Sequence, residues 1–281
     1  MSNPRDRLGA ATLARAMIRS ALLVALLGLA AGPAAALLAR PDRDDAEYLD
    51  LATRYPATVR LEVPAGGGVL VSPRWVLTAA HVVEALRASP GRVRPVVAGQ
   101  VREVKAVYLH PDWKRGGESD LALLHLRIPV EEVEPANVYR QSDEAGLTVR
   151  IVGHGASGPV GRPPGTAGGD RRARAGVNTV DRVGPRTLGL RIKAADEASD
   201  LQGAFAAADR GGPAYVEVAG EIFVAGIGYA TEDANGDGIA GNIGDWDLFV
   251  RVSAFRDWIN QATAKAAADE AAAAVGDTER N

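Results

Sequence analysis

The chain contains no cysteine among its 281 residues. That absence excludes disulfides, a thiolate nucleophile and cysteine-ligated metal sites at once. Lysine is nearly missing as well, occurring only at Lys105, Lys114, Lys193 and Lys265, so the basic charge is almost all arginine. Net charge is −3 and the arginines form no stripe, so nucleic acid is not an expected partner. With 47% hydrophobic and 24% charged residues, the composition is that of a globular chain. The length suffices for one large all-β domain or two smaller ones.

What is present begins with the first forty residues. Arg5, Arg7, Arg15 and Arg19 precede an uncharged run from Ser20 to Ala39, which holds Leu22 to Leu27 and then Ala34-Ala35-Ala36. A basic start, an apolar middle and an A-x-A end make a secretory signal peptide, with removal expected after Ala36. The expected location is therefore secreted or periplasmic. The alternative is an uncleaved membrane anchor, since about 20 apolar residues span a bilayer; Gly32-Pro33 favours cleavage. Residues 1–36 hold four arginines and one aspartate, so their removal takes +3 away and leaves −6. Such a chain has no attraction to anionic lipid.

Residues 37–52, charged and containing Pro41, read as a linker. From Thr58 onward short β-type runs alternate with turn residues. A first group comprises Thr58–Val63, Gly68–Val71, Trp75–Ala79, Val93–Ala98, Val101–His110 and Asp120–Leu126; a second comprises Leu147–Val152, Asn178–Val183, Thr187–Lys193, Ala214–Val218, Glu221–Tyr229 and Asp247–Val252. "TVRLEV" and "LGLRIKA" alternate apolar with polar, as strands with one wet face do. Many short strands argue for an all-β sandwich or barrel pair, the halves meeting near residues 135–147. Gly153 to Gly176 reads as a long glycine-rich surface loop. Ser253 is a candidate N-cap for a C-terminal helix whose Phe255, Trp258 and Ile259 dock at helical spacing. The alanine-rich residues 263–281 form a tail with little to bury.

Three segments carry chemistry. "SPRWVLTAAHVV" sets His81 after an apolar strand, "HPDWKRGGESDLALLHL" sets Asp120 before one, and "FAAADRGGPAY" places Asp209-Arg210-Gly211-Gly212-Pro213 in a turn. With "GGGVLVS", "RIVGHG", "VAGIGYA" and "RVSAFRDWI" in the same order, residues 53–262 resemble the trypsin/chymotrypsin-like serine protease family. That resemblance implies two perpendicular six-stranded β-barrels with the cleft between them, and a His–Asp–Ser triad in chain order. His81 and Asp120 fall at the first two triad positions; the remaining histidines, His110, His125 and His154, read as structural.

The third triad position holds Arg210. A guanidinium stays protonated, offers five donors and no lone pair, and is no nucleophile. The resemblance also implies oxyanion-hole donors at Arg210 and Ala208, and Ala208 stands where the family has glycine, at a cost of about 1 kcal/mol if the backbone needs glycine's freedom. The expected function is thus an exported, inactive trypsin-like homologue acting by binding an extended peptide or a secreted protein. The alternatives are an active serine endopeptidase and a calcium-stabilised module. Arg210 is expected to pair with Asp120 or Asp209. The implied substrate cleft includes Gly228, Tyr229 and Ala230, where an extended peptide adds as a strand, and Ala204 near the specificity pocket. No IVGG-like start precedes Thr53 to supply an N-terminal amine to Asp209.

Asp233, Asn235, Asp237 and Gly238 match the opening of a calcium loop, but its twelfth position is Gly244 rather than a glutamate. An Asn/Asp/Gly turn is the favoured reading.

Overall fold

Short runs of β-branched and apolar residues, each stopped by glycine, proline or an acid, build a nearly all-β chain. The computed structural model describes residues 35–154, 156–160, 170–206 and 209–278. In order these form β1 (Ala35–Ala39), α1 (Asp45–Ala52), β2 (Thr58–Leu61), β3 (Gly66–Ser72), β4 (Trp75–Thr78), α2 (Ala80–Val83), β5 (Pro95–Val97), β6 (Gln100–Val101), β7 (Val104–Leu109) and β8 (Ala122–Leu126). Then come β9 (Asn137–Val138), β10 (Thr148–Gly153), β11 (Ala156–Pro159), β12 (Arg174–Thr179), β13 (Arg182–Val183), β14 (Thr187–Arg191), β15 (Gly203–Ala204), β16 (Pro213–Val218), β17 (Glu221–Glu232), β18 (Trp246–Arg251) and α3 (Arg256–Thr278).

Two large sheets organise the fold. One has seven strands in the order β6-β5-β2-β3-β4-β8-β7; the other has eight, β12-β10-β16-β17-β18-β14-β13 with β9 paired to β17. Setting aside the two-residue strands β6, β9 and β13 leaves six in each, the two-barrel arrangement that the resemblance implied. The chain crosses between sheets where Ala136 N–H donates to Leu70 O and Tyr139 N–H to Val224 O. Val59, Val69, Leu77, Leu123 and Leu124 are fully buried in the first half, and Ile151, Leu190, Ala214 and Phe249 in the second. At the seam Tyr55 stacks on Tyr215 with centroids 4.9 Å apart, and the Tyr215 hydroxyl meets Thr58 Oγ1 at 2.9 Å.

The segment expected to be a linker is instead structured. β1 pairs with β11 on one side and β15 on the other, giving a third small sheet. This strand begins at Ala35 and so runs across the boundary expected after Ala36. α1 carries a capping box: Asp44 accepts from Ala46 N–H at 3.0 Å, and Glu47 accepts from Asp44 N–H. Its charges are not solvated linker charges. Arg174 forks both oxygens of Asp45 at 2.6 and 2.7 Å, and Arg40 forks Asp42. The Asp45 carboxyl is accordingly held below its ordinary value, chiefly by the Arg174 hydrogen bonds.

Tyr48, fully buried, anchors α1. Its hydroxyl accepts Arg40 N–H at 3.1 Å and donates to Gln202 O at 3.1 Å. Tyr48→Phe leaves both backbone groups unsatisfied and should cost about 1–3 kcal/mol. Urea unfolding should show a lower midpoint at an unchanged slope; an unshifted midpoint would mean that this helix contributes nothing.

At the other end, Ser253 does not cap a helix. It lies in a 3₁₀ turn, Val252–Phe255, and donates to buried Glu144, whose carboxylate also takes Arg251 Nε at 2.9 Å and Nη2 at 2.7 Å. Burial pushes Glu144 up, but the Arg251 fork and the Ser253 hydroxyl outweigh it and hold the group below its ordinary value. Phe255 and Ile259 dock in the core as expected. α3 continues to Thr278, through much of the stretch expected as a tail, because alanine is the best helix former. Two further departures arise in the strand pattern. The run read as Asn178–Val183 is two strands, β12 beginning at Arg174, and the long loop after Gly153 contains β11.

Candidate active site

β4 is buried along its whole length and ends at Thr78, whose hydroxyl donates to Gly67 O at 2.7 Å. That anchor delivers the chain into α2, where His81 is the second residue. Asp120, buried just before β8, meets it twice: Oδ1 accepts His81 N–H at 2.8 Å, and Oδ2 lies 2.6 Å from His81 Nδ1. An ionised carboxylate only accepts, so Nδ1 carries the proton and Nε2 faces away with its lone pair. Nε2 is buried and has no hydrogen-bond partner. Beside Asp120, buried Ser119 Oγ accepts from Arg186 Nη1 at 2.6 Å, and the Arg186 guanidinium lies over Phe255. Nothing local in the sequence flags Arg186, which stands 67 positions from Ser119.

The turn after Phe205 is stitched to both sheets. Gly67 N–H donates to Arg210 O at 2.9 Å, Gly211 N–H to Gly228 O at 2.7 Å, and Gly228 N–H to Gly212 O at 2.9 Å. Gly211 has φ +88°, and a side chain there would collide with Thr78 Oγ1 and Gly67 O. A Cβ on Gly67 would sit 2.7 Å from Gly212 Cα. Only glycine allows this approach, and it sets Arg210 beside the strand end that leads to His81.

The Arg210 side chain is half-buried and makes no hydrogen bond or ion pair with any described residue. The expected pairing with Asp120 or Asp209 is therefore overturned, for separate reasons. Asp120 is committed to His81. Asp209 turns inward, almost fully buried against Gly153, and accepts His154 N–H at 3.2 Å and Ala206 N–H at 3.4 Å. Burial pushes its carboxyl up to about 8 against the pull of those two N–H groups, with nearby Asp247 adding to the rise. At neutral pH it is largely the uncharged acid and calls for no cation. Asp247, also fully buried, is raised by burial to about 7 while accepting Phe205 N–H at 2.5 Å.

Of the oxyanion-hole positions, Ala208 lies outside the described residues. Ala204 does not line an open pocket: it is fully buried with Leu38, Ile192 and Ala206. The next residue explains why. Phe205 lays its ring against Gly228 Cα, where a Cβ would overlap it, and meets Phe249 edge-on at 5.2 Å. Gly226 and Ile227 are paired on both sides, so the free edge opens only after Gly228. Tyr229 is the unpaired residue of a β-bulge between Gly228 and Ala230, and from Ala230 to Glu232 the strand pairs only with β18. Burial, then Glu118 and Asp120 nearby, push the Tyr229 hydroxyl up to about 12.

The remaining histidines sit apart from this pair. His125 stacks on Trp75 at 4.3 Å, and His110 packs edge-on to Phe255 and Trp258. Burial lowers His154 to about 4, with Arg60 adding to the effect. Asp233 accepts N–H groups from Gly236 and Gly238, Asn235 from Asp237, and Asp237 from Ile239. Buried Asp245 accepts from Ala234, Asn235, Gly241 and Asn242. These side chains thus staple a turn, and among the described residues no group of three or more acids or histidines is placed to hold a metal.

Comparison with known proteins points one way. A sequence model of the family described as Trypsin matches residues 50–259. The trypsin of Phaedon cochleariae is 29% identical over 225 residues, covering 70% of this chain and 78% of that protein. The complement C1s subcomponent of Sus scrofa is 33% identical over 91 residues, and the calcium-dependent serine proteinase of Mesocricetus auratus 34% over 92. Each of these two matches covers 27% of this chain, which spans only 13% of their length.

Proposed function

The chain belongs to the trypsin family, and from that membership we propose that it is an exported homologue that holds extended polypeptide without cutting it. One observation carries the reading. His81 is oriented by Asp120 as a general base, yet the residue on the turn beside it is Arg210. Acyl transfer needs a hydroxyl whose proton Nε2 can take. Arginine offers no such oxygen, and its permanent cation is no nucleophile. Phe205 adds a second obstacle, because it fills the space facing Gly228 that a substrate side chain would enter. What remains serviceable is backbone: the open edge after Gly228 suits the addition of one extended strand. Export rests on the basic and apolar pattern of residues 1–36. No helix among the described residues is long and apolar enough to cross a membrane.

Purified protein incubated with unfolded casein should release no fragments, and His81→Ala should behave identically. Cleavage that disappears in His81→Ala would establish an active endopeptidase and end this reading. Sequencing the N-terminus of the exported protein should find residues 1–36 removed; an intact terminus would favour the anchor.

A further inference from the structure

A second hollow lies apart from the cleft. It encloses about 400 Å³, within the size of small-molecule sites, and none of His81, Asp120, Arg210 or Tyr229 lines it. Its walls come from β2, from β5 and the turn after it, and from residues just outside β10 and β12. Part of the wall is apolar, made by the buried side chains of Tyr55, Val96 and Val133. The charged part is basic throughout: Arg60, His154 and Arg171 line the hollow, and no acid among the described residues does. The nearest carboxylates are already committed. Glu62 is shared by Arg60 at 3.0 Å and Arg94 at 3.5 Å, and Glu217 takes the Tyr55 hydroxyl at 2.6 Å and Arg54 at 3.0 Å. The His154 imidazole and the Arg171 guanidinium make no hydrogen bond or ion pair with any described residue. Bases that lack a counter-charge on a part-buried wall attract an anion. We infer that this hollow is a second binding site, for a small organic acid whose carboxylate meets the three bases while its aryl or alkyl body lies on the apolar wall.

Each group has a separate part. Arg60 gives only Nη1 to Glu62, so Nε and Nη2 remain to donate to a carboxylate. His154 is kept uncharged by burial and by Arg60 beside it, and a neutral imidazole still offers one N–H donor. Arg171 is exposed and adds its charge from the solvent side. The apolar wall is preformed, because Tyr55 is fixed by its stack on Tyr215 and its bond to Glu217. Charge and shape together select the ligand. Arg60 and Arg94 against Glu62 leave one positive charge in excess, which a single carboxylate balances. An inorganic phosphate brings a second negative charge and leaves the apolar wall uncovered.

The test uses the intact protein and three probes: 4-phenylbutyrate, its neutral amide and inorganic phosphate. By calorimetry at pH 7 the acid should bind at least about tenfold more tightly than the amide, as expected for one charge-assisted fork. Arg60→Gln should weaken the acid about tenfold and leave the amide unchanged. Arg171→Gln should weaken the acid in the same sense and melt like wild type, since that side chain is exposed and unpaired; it carries the test if Arg60→Gln fails to fold. In proton NMR the His154 ring resonance, assigned by its loss in His154→Gln, should shift as the acid is added while that of His81 holds still. Equal affinity for acid and amide, or no binding of the acid at millimolar concentration, overturns the inference. Tighter binding of phosphate than of the acid overturns the choice of ligand, and a shift of His81 alone places the acid in the cleft and overturns the site. None of these outcomes bears on whether the cleft holds peptide.

Discussion

Arg210→Ser should make this protein react with a fluorophosphonate that the wild type resists. The substitution puts a hydroxyl on the turn beside His81, whose Nε2 is unpartnered and whose Nδ1 is already held by Asp120. The reagent is small and needs no side-chain pocket, so Phe205 does not obstruct it. Losing the nucleophile of a comparable triad costs on the order of 10⁶ in rate. Allowing for the loss of one oxyanion donor, since alanine stands at position 208 where the family has glycine, takes about 10²–10³ from that. Labelling of Arg210→Ser should therefore exceed wild type by about 10³-fold or more, and His81→Ala in the same background should abolish it. Peptide hydrolysis by Arg210→Ser should stay weak until Phe205 is also reduced in size. A folded Arg210→Ser that takes no label would show that the turn fails to aim position 210 at the imidazole. Labelling of wild type would refute the inert site directly.

Stability should fall as pH rises from about 4 to 8, opposite to the behaviour of a protein held by surface ion pairs. Asp209 and Asp247 are both fully buried and are pushed by burial to about 8 and about 7. Unfolded, each titrates near 3.9. An acid whose folded-state pKa lies above its unfolded one binds its proton more tightly in the fold. Its contribution is therefore complete below about pH 4 and is lost progressively up to the folded value. At 1.36 kcal/mol per unit the loss is on the order of 5 kcal/mol for Asp209 and 4 for Asp247. The two are neighbours and will not add in full. His154, lowered by burial to about 4, and buried Glu144, held low by Arg251 and Ser253, work in the other sense and offset part of this loss. The lowered carboxyls of Asp42 and Asp170 are exposed and count for little. Urea melts should thus place the optimum near pH 4–5, with several kcal/mol lost by pH 8. Asp209→Asn or Asp247→Asn should flatten that decline, since the amide cannot ionise. Equal or greater stability at pH 8 would mean that the two acids are solvated or paired.

Sequence and structure agree where short-range pattern decides the outcome. "SPRWVLTAAH" is a buried strand running into a histidine, and "ESDLALLHL" is an acid ahead of another. Alternation and turn residues were enough to place both sheets. Residues 37–52 read as a linker because their charges look solvated, whereas Asp44 is a cap and Asp45 answers Arg174, 129 positions away. β15 is two residues long and exists only because β1 lies beside it. Arg210 departs from the expected pairing for an electrostatic reason. An aspartate next to it in the chain looked like a partner, but dehydration turns Asp209 into a neutral acid facing the interior. Which way Phe205 points is likewise a matter of three-dimensional packing, settled by the missing side chain of Gly228 and the ring of Phe249.

The turn from Asp209 to Gly212 owes its shape to everything except the side chain at its centre. Asp209 is wedged at Gly153, while Gly211 and Gly212 are pressed against Thr78 and Gly67. The half-buried side chain at position 210 makes no hydrogen bond or ion pair with any described residue. Neutral drift can therefore swap its identity without disturbing the architecture, so reactivity and foldability are inherited separately here. A saturation library at this codon should recover folded protein for nearly every amino acid, while the neighbouring glycines admit almost none.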